Sequence, residues 1–447
     1  MIKKLFAPAA PIARLPDDEA RRVYPLQRLN ILTTTYIGYA LFYLLRNNLS
    51  TISKEMEGAL HYDHSMIGDI LAVSAIAYGL GKFFMGSLSD RSDPRKFMAF
   101  GLLLSAACNM AFGSVSNYYL HMCFWCVNGF VQGMGWPPCG RSIGHWFSVR
   151  ERGFIFSIWN TATNVGGGLA GIVAAWAVLT YGGWQYAFYV PAVACTLGAG
   201  FLFWRLRDTP QSVGLPPIEE YKNDYTAAEL EGETHERDLS TRELFVGHFL
   251  TNRLLWLVAF ANFFVYIVRY SMLDWGPMYF REVKGFSLEG GGFVIFVLEF
   301  GGIPSTILMG WLSDKMGGRR GMVSLLCMFP VIIAFAAMRL NPPGHAWFDM
   351  LMLGIIGFFI YPPVMLLALS ALDLTSKKAV GTAAGFVGLF GYIGRTVQAK
   401  GFGWMSEHYG AIYGKDVGWD MVISTILACG VAAIVLLAFT WKVRPRA

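Results

Sequence analysis

The chain has 447 residues, of which 55% are hydrophobic and only 15% are charged, and its formal net charge is +6. A soluble protein carries roughly 25% charged residues, so this composition excludes an ordinary water-soluble domain and indicates an all-α polytopic membrane protein. The apolar runs continue for about 20 residues, which disfavours a membrane β-barrel, because barrel strands alternate apolar and polar residues.

Twelve apolar runs predict twelve transmembrane helices in two sets of six. The first set covers residues 29–50, 65–88, 97–115, 118–141, 153–180 and 184–206. The second set covers residues 253–280, 290–312, 321–339, 347–372, 378–407 and 419–441. The polar stretch 207–252 predicts a cytoplasmic linker between one six-helix bundle at residues 1–206 and another at residues 253–447.

Lysine and arginine are distributed unequally between the two sets of loops. The richer loops contain Arg91, Arg95, Lys96, Arg150, Arg152, Lys315, Arg319, Arg320, Lys377 and Lys378. The opposite loops contain Lys54, Arg281, Lys284, Arg339 and Lys415. The richer side is expected to face the cytoplasm, together with both termini.

Features of the first half recur in the second half about 224 residues later. MGSLSD at residues 85–90 recurs as MGWLSD at residues 309–314, and Trp136-Pro137-Pro138 recurs as Tyr361-Pro362-Pro363. A unit of six helices begins and ends on one side of the membrane, so both copies have the same orientation. This is the parallel repeat of the major facilitator fold. The prolines are expected to kink helices four and ten.

Two arginines, Arg46 and Arg269, lie within apolar runs at this same repeat spacing. A charge at the centre of a membrane helix costs about 2.5–3.5 kcal/mol even on insertion scales, so the pair is expected to hold an anion. A phosphate monoester is nearly a dianion at pH 7, and each planar guanidinium group can hold two phosphate oxygens. The alternatives are that Arg46 snorkels to the surface, or that Asp274 or Glu299 neutralises Arg269.

Helical spacing places aromatic residues beside both arginines. Tyr39 and Tyr43 share the face of Arg46, and Tyr266 shares the face of Arg269. These rings either contact substrate or simply pack between helices. Lys82 follows Tyr78 by four residues, and it either adds positive potential or pairs with Glu299.

Longer tracts resemble a known family. SDRSDPRKF after the second helix and SDKMGGRRG after the eighth resemble the signature loop of the major facilitator superfamily. GYALFYLLRNN, FVQGMGWPPCGRS and FVYIVRYSMLDW resemble its organophosphate:phosphate antiporter family, and RDTPQSVGLPPIEEYKNDY most resembles the glycerol-3-phosphate transporter branch. The resemblance implies antiport of an organic phosphate against inorganic phosphate in a bacterial inner membrane. It also places Arg46 and Arg269 on the two phosphate-binding arginines of that family.

Two positions depart from the pattern of that branch. Thr163, in WNTATN, stands where the branch has a histidine, which puts the substrate or its proton dependence in question. Arg395 and Lys400 add charge to the eleventh helix. Arg395 either meets a second anionic group, such as the carboxylate of a phosphoglycerate, or pairs elsewhere.

These arguments define two sets of candidate residues. The candidate substrate-binding residues are Arg46, Arg269, Lys82, Tyr39, Tyr43, Tyr78, Tyr266, Asn160, Thr163, Tyr361, Tyr392 and Arg395. The candidate gating or ion-pair residues are Asp90, Arg91, Arg95, Asp274, Glu299 and Asp314.

The function expected from the sequence is secondary active transport, with glycerol-3-phosphate or a related organic phosphate exchanged for inorganic phosphate by alternating access. The alternatives are a hexose-phosphate or phosphoglycerate exchanger and a non-transporting sugar-phosphate sensor. An enzyme is not expected, since the sequence has no Walker-type loop and no nucleophile–base pair at meaningful spacing. We also expect no cofactor, no metal and no nucleic-acid partner, and a monomer in the lipid bilayer.

Overall fold

The computed structural model describes residues 6–224, 252–374 and 380–443, and within these residues the chain is helical with no strand. The helices of the first half are α1 Asp17–Leu44, α2 Asn48–Leu60, α3 His64–Ser89, α4 Pro94–Gly113, α5 Tyr118–Gln132, α6 Trp136–Trp146, α7 Val149–Asn160, α8 Ala162–Tyr181, α9 Tyr186–Arg205 and the short α10 Ile218–Lys222. Those of the second half are α11 Arg253–Asp274, α12 Gly276–Glu282, α13 Leu288–Lys315, α14 Arg320–Leu340, α15 Ala346–Asp373, α16 Val380–Tyr413 and α17 Lys415–Ala438.

Nine helical segments in the described part of the chain are long and apolar enough to cross a membrane, when α7 and α8 are taken as one segment. Three predicted spans are not among the nine, yet each of them is helical. The first predicted span corresponds to α1 and the start of α2, the fourth to α5 and α6, and the eleventh to α16. The first and fourth spans are interrupted helices, whereas the eleventh lies within the single helix α16.

The expected proline kinks take a different form in the two halves. In the first half the chain leaves the helix at residues 133–135, and Pro137 then stands in the first turn of α6, where its missing N–H has no helical partner to lose. In the second half α15 runs without a break through Pro362 and Pro363. The repeated diproline therefore separates two helices in one half and lies inside a single helix in the other.

Glycines allow the two halves to touch along their helices. A Cβ atom on Gly171 of α8 would lie 2.7 Å from the backbone oxygen of Gly292 in α13, and a Cβ on Gly292 would lie 2.6 Å from that of Gly171. A Cβ on Gly68 of α3 would lie 2.7 Å from the backbone oxygen of Ala399 in α16. Small residues at these crossings let backbones approach closely, as in other packed membrane helices.

Gly171→Val should therefore weaken the contact between the halves. The new side chain meets backbone atoms that cannot rotate away, and overpacking of this kind costs about 1–3 kcal/mol. We expect a lower melting temperature of the purified protein in detergent. Gly200→Val in α9 is the matched control, because a Cβ there meets nothing within 4 Å. Equal melting temperatures for the two variants would contradict the close crossing.

Charged pairs join the two halves at one end of the molecule, which we call the closed end. Arg281 of the second half binds Glu55 of the first half through both guanidinium nitrogens, at 2.6 and 2.7 Å. Lys400 of the second half lies 2.7 Å from Asp69 of the first half. Among the described residues, the identified hydrogen bonds and ion pairs between the halves lie at this end or near the two arginines, and we call the opposite end the open end.

A second group of polar contacts at the closed end surrounds His64, the first residue of α3. Its Nε2 atom lies 3.2 Å from Glu57 and 3.4 Å from Glu282. Burial raises the pKa of the Glu57 carboxyl to about 7, although His64 opposes this rise. Burial also acts to raise the pKa of Glu282, but the hydrogen bond with His64 and the neighbouring Lys415 hold it at about 2. Glu282 is therefore ionised at neutral pH.

The described part of the predicted linker packs against the first half. The Trp146 indole N–H donates to the backbone oxygen of Asp208 at 3.0 Å, and the Tyr24 hydroxyl donates to that of Pro216 at 3.0 Å. Residues 207–224 are thus held close to the bundle. Residues 225–251 of the predicted linker, and Lys377 and Lys378 of the charge pattern, lie outside the described residues.

Candidate substrate-binding site

Arg46 lies in the break between α1 and α2 rather than inside one continuous helix. The helix α1 ends at Leu44, and the Arg46 N–H still donates to the Tyr43 backbone oxygen at 3.1 Å. This last turn keeps the Tyr43 ring beside the guanidinium group, as helical spacing predicts. Arg269 lies within α11, so the two repeated arginines have different backbone settings.

The Arg46 guanidinium is buried between aromatic rings. Its central carbon lies 4.5 Å from the Tyr43 ring centroid and 4.0 Å from that of Tyr78, and the residue is 8% exposed. This burial argues against snorkelling. The Nε and Nη2 atoms of Arg46 donate no hydrogen bond to a described residue. Cation–π contacts therefore stabilise the charge, while donors remain available for an anion.

Arg269 has a similar environment on the other half. Its guanidinium carbon lies 4.9 Å from the Tyr270 ring centroid and 4.4 Å from that of Tyr361, and its buried Nε donates no hydrogen bond. No ion pair within 4.0 Å joins Arg269 to a carboxylate of a described residue. The alternative in which Asp274 neutralises Arg269 does not describe the structure, because Asp274 pairs with Arg395 instead.

Tyrosine rings connect the surroundings of the two arginines. Tyr78 contacts Tyr392 with ring centroids 5.0 Å apart, and Tyr392 contacts Tyr266 at 5.5 Å. Tyr266 in turn contacts Tyr270 at 5.4 Å, and Tyr270 lies beside Arg269. The structure therefore brings Tyr78, Tyr266 and Tyr392 into one aromatic layer.

Tyr43 belongs to the same central region, because its ring centroid lies 4.5 Å from the guanidinium carbon of Arg46. Tyr270 is a member of the layer that the sequence analysis missed. It directly follows Arg269, and adjacent helix positions point about 100° apart, so spacing alone gave no reason to select it.

Arg395 and Asp274 form a buried ion pair in the second half. The Arg395 Nη2 and Nε atoms donate to the two Asp274 carboxylate oxygens at 2.7 and 3.1 Å, and the residues are 7% and 2% exposed. Gln398 donates to the same carboxylate at 2.6 Å. The guanidinium of Arg395 also lies 4.1 Å from the Tyr270 ring centroid. The Nε–Nη2 edge of Arg395 is therefore occupied by an internal carboxylate and is not free for a second anionic group.

Glu299 contacts the opposite half through Asn164. The Asn164 amide donates to the backbone oxygen of Glu299 and to its Oε2 atom, both at 3.0 Å. Glu299 is 1% exposed and interacts electrostatically with Arg269 and Arg46 without pairing within 4.0 Å. Asn164 was not predicted, because nothing in the sequence links it to a residue 135 positions away.

Lys82 does not pair with Glu299 in the described structure. Its Nζ atom lies 5.1 Å from the Trp136 ring centroid. Of the two interpretations that the sequence allowed, the structure favours a contribution to positive potential. Lys82 remains a candidate only as a partly exposed cation on the same helix as Tyr78, which belongs to the aromatic layer.

The remaining candidates lie behind this layer or within helix turns. Tyr39 stacks on Trp159 at 4.9 Å and meets Tyr43 edge-on at 5.5 Å, so it supports Tyr43. The Thr163 hydroxyl donates to the backbone oxygen of Asn160 at 2.9 Å. Thr163 and Asn160 are both half-buried at the junction of α7 and α8.

The predicted gating ion pairs at the open end are only partly present. Asp314 pairs with Arg320 at 2.8 Å, and Arg95 lies 3.6 Å from Asp93. Asp90 and Arg91 are exposed and make no ion pair with a described residue, contrary to the expectation. The pairs that do form lie within one half, so the described contacts at this end do not lock the halves together.

Comparisons with known proteins agree with this architecture. Residues 35–399 match the family described as Major Facilitator Superfamily. The chain belongs to the major facilitator superfamily. The predicted fold class, with twelve helices in two parallel repeats, is confirmed, and so is the prediction that the chain is not an enzyme.

Several major facilitator relatives match along nearly the whole chain. The glycerol-3-phosphate transporter of Bacillus subtilis is 42% identical over 99% of both chains. A probable hexose phosphate transport protein of Chlamydia pneumoniae is 38% identical over 98% of this chain and 97% of its own. The membrane sensor protein UhpC of Escherichia coli is 34% identical over all of both chains. The predicted family resemblance is therefore confirmed.

A solved structure shares the major facilitator fold at low identity. It is the crystal structure of a bacterial homolog of the human lysosomal transporter Spinster, in an inward-facing and unoccupied conformation. The TM-score is 0.69 at 16% identity, covering 93% of this chain and 95% of that one. At this identity the likeness supports the fold alone.

Proposed function

We propose that this protein is an antiporter that exchanges glycerol-3-phosphate for inorganic phosphate across a bacterial inner membrane. The observation that carries the proposal is the pair of arginines, Arg46 and Arg269, which share one aromatic layer and have no carboxylate partner within 4.0 Å among the described residues. A phosphate dianion matches two guanidinium charges and the donors they leave free. The similarity to a glycerol-3-phosphate transporter supports the same substrate class.

The mechanism follows from the cost of leaving two unneutralised charges in a low-dielectric centre. Without an anion, bringing the halves together around Arg46 and Arg269 is unfavourable. A bound phosphate removes that cost, so the loaded carrier changes its access side readily and the empty one rarely. Exchange, rather than one-way transport, is the result. Alternating access then requires that the closed end opens when the open end closes.

The orientation is part of the same proposal. The excess of lysine and arginine in the loops at the open end supports a cytoplasmic location for that end and for both termini. The described arrangement is then the cytoplasm-facing state of a monomeric carrier. Inorganic phosphate is the counter-substrate, because it offers the same dianionic group without the organic part.

The choice among organic phosphates rests on Arg395. A phosphoglycerate carries a carboxylate that would need its own anchor, and Arg395 already binds Asp274 through Nε and Nη2. Glycerol-3-phosphate needs no second anchor and is therefore the favoured substrate. Hexose phosphates also carry a single charged group, so they are the second candidate class of substrate.

The test is exchange in proteoliposomes that contain the purified full chain and inorganic phosphate. Uptake of labelled phosphate is competed with glycerol-3-phosphate, glucose-6-phosphate, 3-phosphoglycerate and phosphoenolpyruvate. We expect exchange that glycerol-3-phosphate inhibits at the lowest concentration. Strongest inhibition by the carboxylated compounds would overturn the substrate assignment. No exchange at all would overturn the proposal that the protein is an antiporter.

A second candidate function is that of a non-transporting sugar-phosphate sensor. The observation that favours it is the end-to-end similarity to the membrane sensor protein UhpC. The same experiment separates the two functions when binding is measured in parallel. Binding of an organic phosphate without phosphate exchange would support the sensor.

A further inference from the structure

Three side chains that could ligate a metal meet at the closed end. They are Glu57 of α2, His64 at the start of α3 and Glu282 at the end of α12. One oxygen of each carboxylate and the His64 Nε2 atom all lie within 4.8 Å of one another. Two of the residues belong to the first half and one to the second.

The hydrogen bonds around His64 fix where its ring hydrogen lies. The Ser406 hydroxyl donates its single hydrogen to the backbone oxygen of Gly403 at 3.0 Å. Its Oγ atom lies 2.8 Å from His64 Nδ1 and must therefore accept a hydrogen from that nitrogen. The other ring nitrogen, Nε2, faces the carboxylates of Glu57 and Glu282, and its lone pair is directed at them whenever it carries no proton.

His64 Nε2 and two carboxylates that face one another need one shared positive charge, which either a proton on Nε2 or a metal ion can supply. His64 Nε2 lies 3.2 Å from Glu57 Oε1 and 3.4 Å from Glu282 Oε2. Glu57 Oε1 is inaccessible to solvent and accepts no hydrogen bond from a described residue, despite its closeness to Nε2. The three ligand atoms thus surround a position that one positive ion can occupy.

The two separations from His64 Nε2, 3.2 and 3.4 Å, match those between neighbouring ligand atoms of a transition-metal site. Zinc binds histidine nitrogen and carboxylate oxygen at about 2.0–2.2 Å in tetrahedral geometry, which places neighbouring ligand atoms roughly 3.3–3.5 Å apart. The outer contacts also resemble such a site. Ser406 orients the imidazole, and the Trp419 indole N–H donates to Glu282 Oε2 at 2.9 Å. Partners of this kind hold metal ligands in position.

We propose that Glu57, His64 and Glu282 bind a divalent transition-metal ion of the zinc class, which ties the two halves together at the closed end. The ion would hold that end shut and slow the change of access side. The sequence analysis expected no metal site, because Glu282 comes from the other half and no ligand spacing is visible along the chain. The binding itself does not depend on which substrate is carried.

The test is a titration of the purified full chain with zinc chloride at pH 7.5, by calorimetry after treatment with a chelator. We expect one tight site in the unaltered protein, weakened about 10–100-fold in Glu57→Gln and in His64→Gln. His408→Gln is the matched control, because exposed His408 stacks on Trp404 outside the cluster. Its zinc affinity should equal that of the unaltered protein.

Several outcomes would overturn the proposal. Equal zinc affinities for the unaltered protein and Glu57→Gln would show that zinc binds elsewhere, and no zinc binding would show that a proton on Nε2 suffices to satisfy the site. Glu57→Gln decides the question if His64→Gln cannot be purified. Zinc should also slow phosphate exchange in the unaltered protein more than in Glu57→Gln. If the chain exchanges no phosphate, the proposed function fails while the calorimetry still decides on the metal.

Discussion

Arg46→Lys and Arg269→Lys should each lower phosphate exchange by up to about 100-fold in proteoliposomes, while the protein still inserts into the membrane. Lysine keeps the positive charge but loses the planar fork that holds two phosphate oxygens. The loss of one charge-assisted hydrogen bond costs up to about 3 kcal/mol, which corresponds to about 100-fold in binding. Lysine also loses part of the favourable packing on the Tyr78 or Tyr361 ring.

The control is Arg339→Lys on the same scaffold. Arg339 binds Asp420 through two nitrogens at 2.5 and 2.6 Å. Both side chains are partly exposed, and neither belongs to the aromatic layer around Arg46 and Arg269. Exposed ion pairs contribute little, so exchange should stay within about twofold of the unaltered protein. Near-normal exchange in either Arg46→Lys or Arg269→Lys would contradict the proposed role of the pair.

Arg395→Met and Asp274→Asn should each destabilise the protein strongly, and the double variant should recover most of the loss. Removing one member of a buried ion pair leaves an uncompensated charge, at a cost of about 3–5 kcal/mol. Asparagine keeps an acceptor for the Gln398 amide, which binds the Asp274 carboxylate in the unaltered protein. The measurement is the melting temperature of the three purified variants in detergent.

The double variant also separates a structural role of Arg395 from a substrate role. If Arg395 only stabilises the wall of the site, the double variant exchanges glycerol-3-phosphate at a rate close to that of the unaltered protein. If Arg395 is a second anchor, the stable double variant instead loses affinity for 3-phosphoglycerate selectively. Single variants as stable as the unaltered protein would show that the ion pair is not needed for folding.

The sequence predicted those features that depend on local pattern. Apolar run length predicted the helices, and the repeat predicted that Arg46 and Arg269 belong together. Turn spacing predicted Tyr43 beside Arg46, and the structure places its ring 4.5 Å from the guanidinium. The break at residues 45–47 was not predicted, because an apolar run reports hydrophobicity and not the course of the backbone.

Features formed by distant residues could not be read from the pattern. Arg395 and Asp274 are separated by 121 positions, and several carboxylates were equally plausible partners. The contact of Asn164 with Glu299 and the cluster around His64 join different halves, so they exist only once the helices are packed. The contact between Asn164 and Glu299 and the cluster around His64 are visible only in the three-dimensional arrangement of side chains.

The aromatic setting of the arginines has a consequence for how fast the carrier can turn over. A carboxylate beside Arg46 would compete with every incoming phosphate for the same N–H groups. A tyrosine ring stabilises the guanidinium by about 0.5–2 kcal/mol through its face and leaves those N–H groups in place. The site can therefore tolerate being vacant for a moment without an internal competitor, and it can release its cargo without first recruiting a replacement anion. The tyrosine rings around this pair thus stabilise both charges without competing with phosphate for their donors.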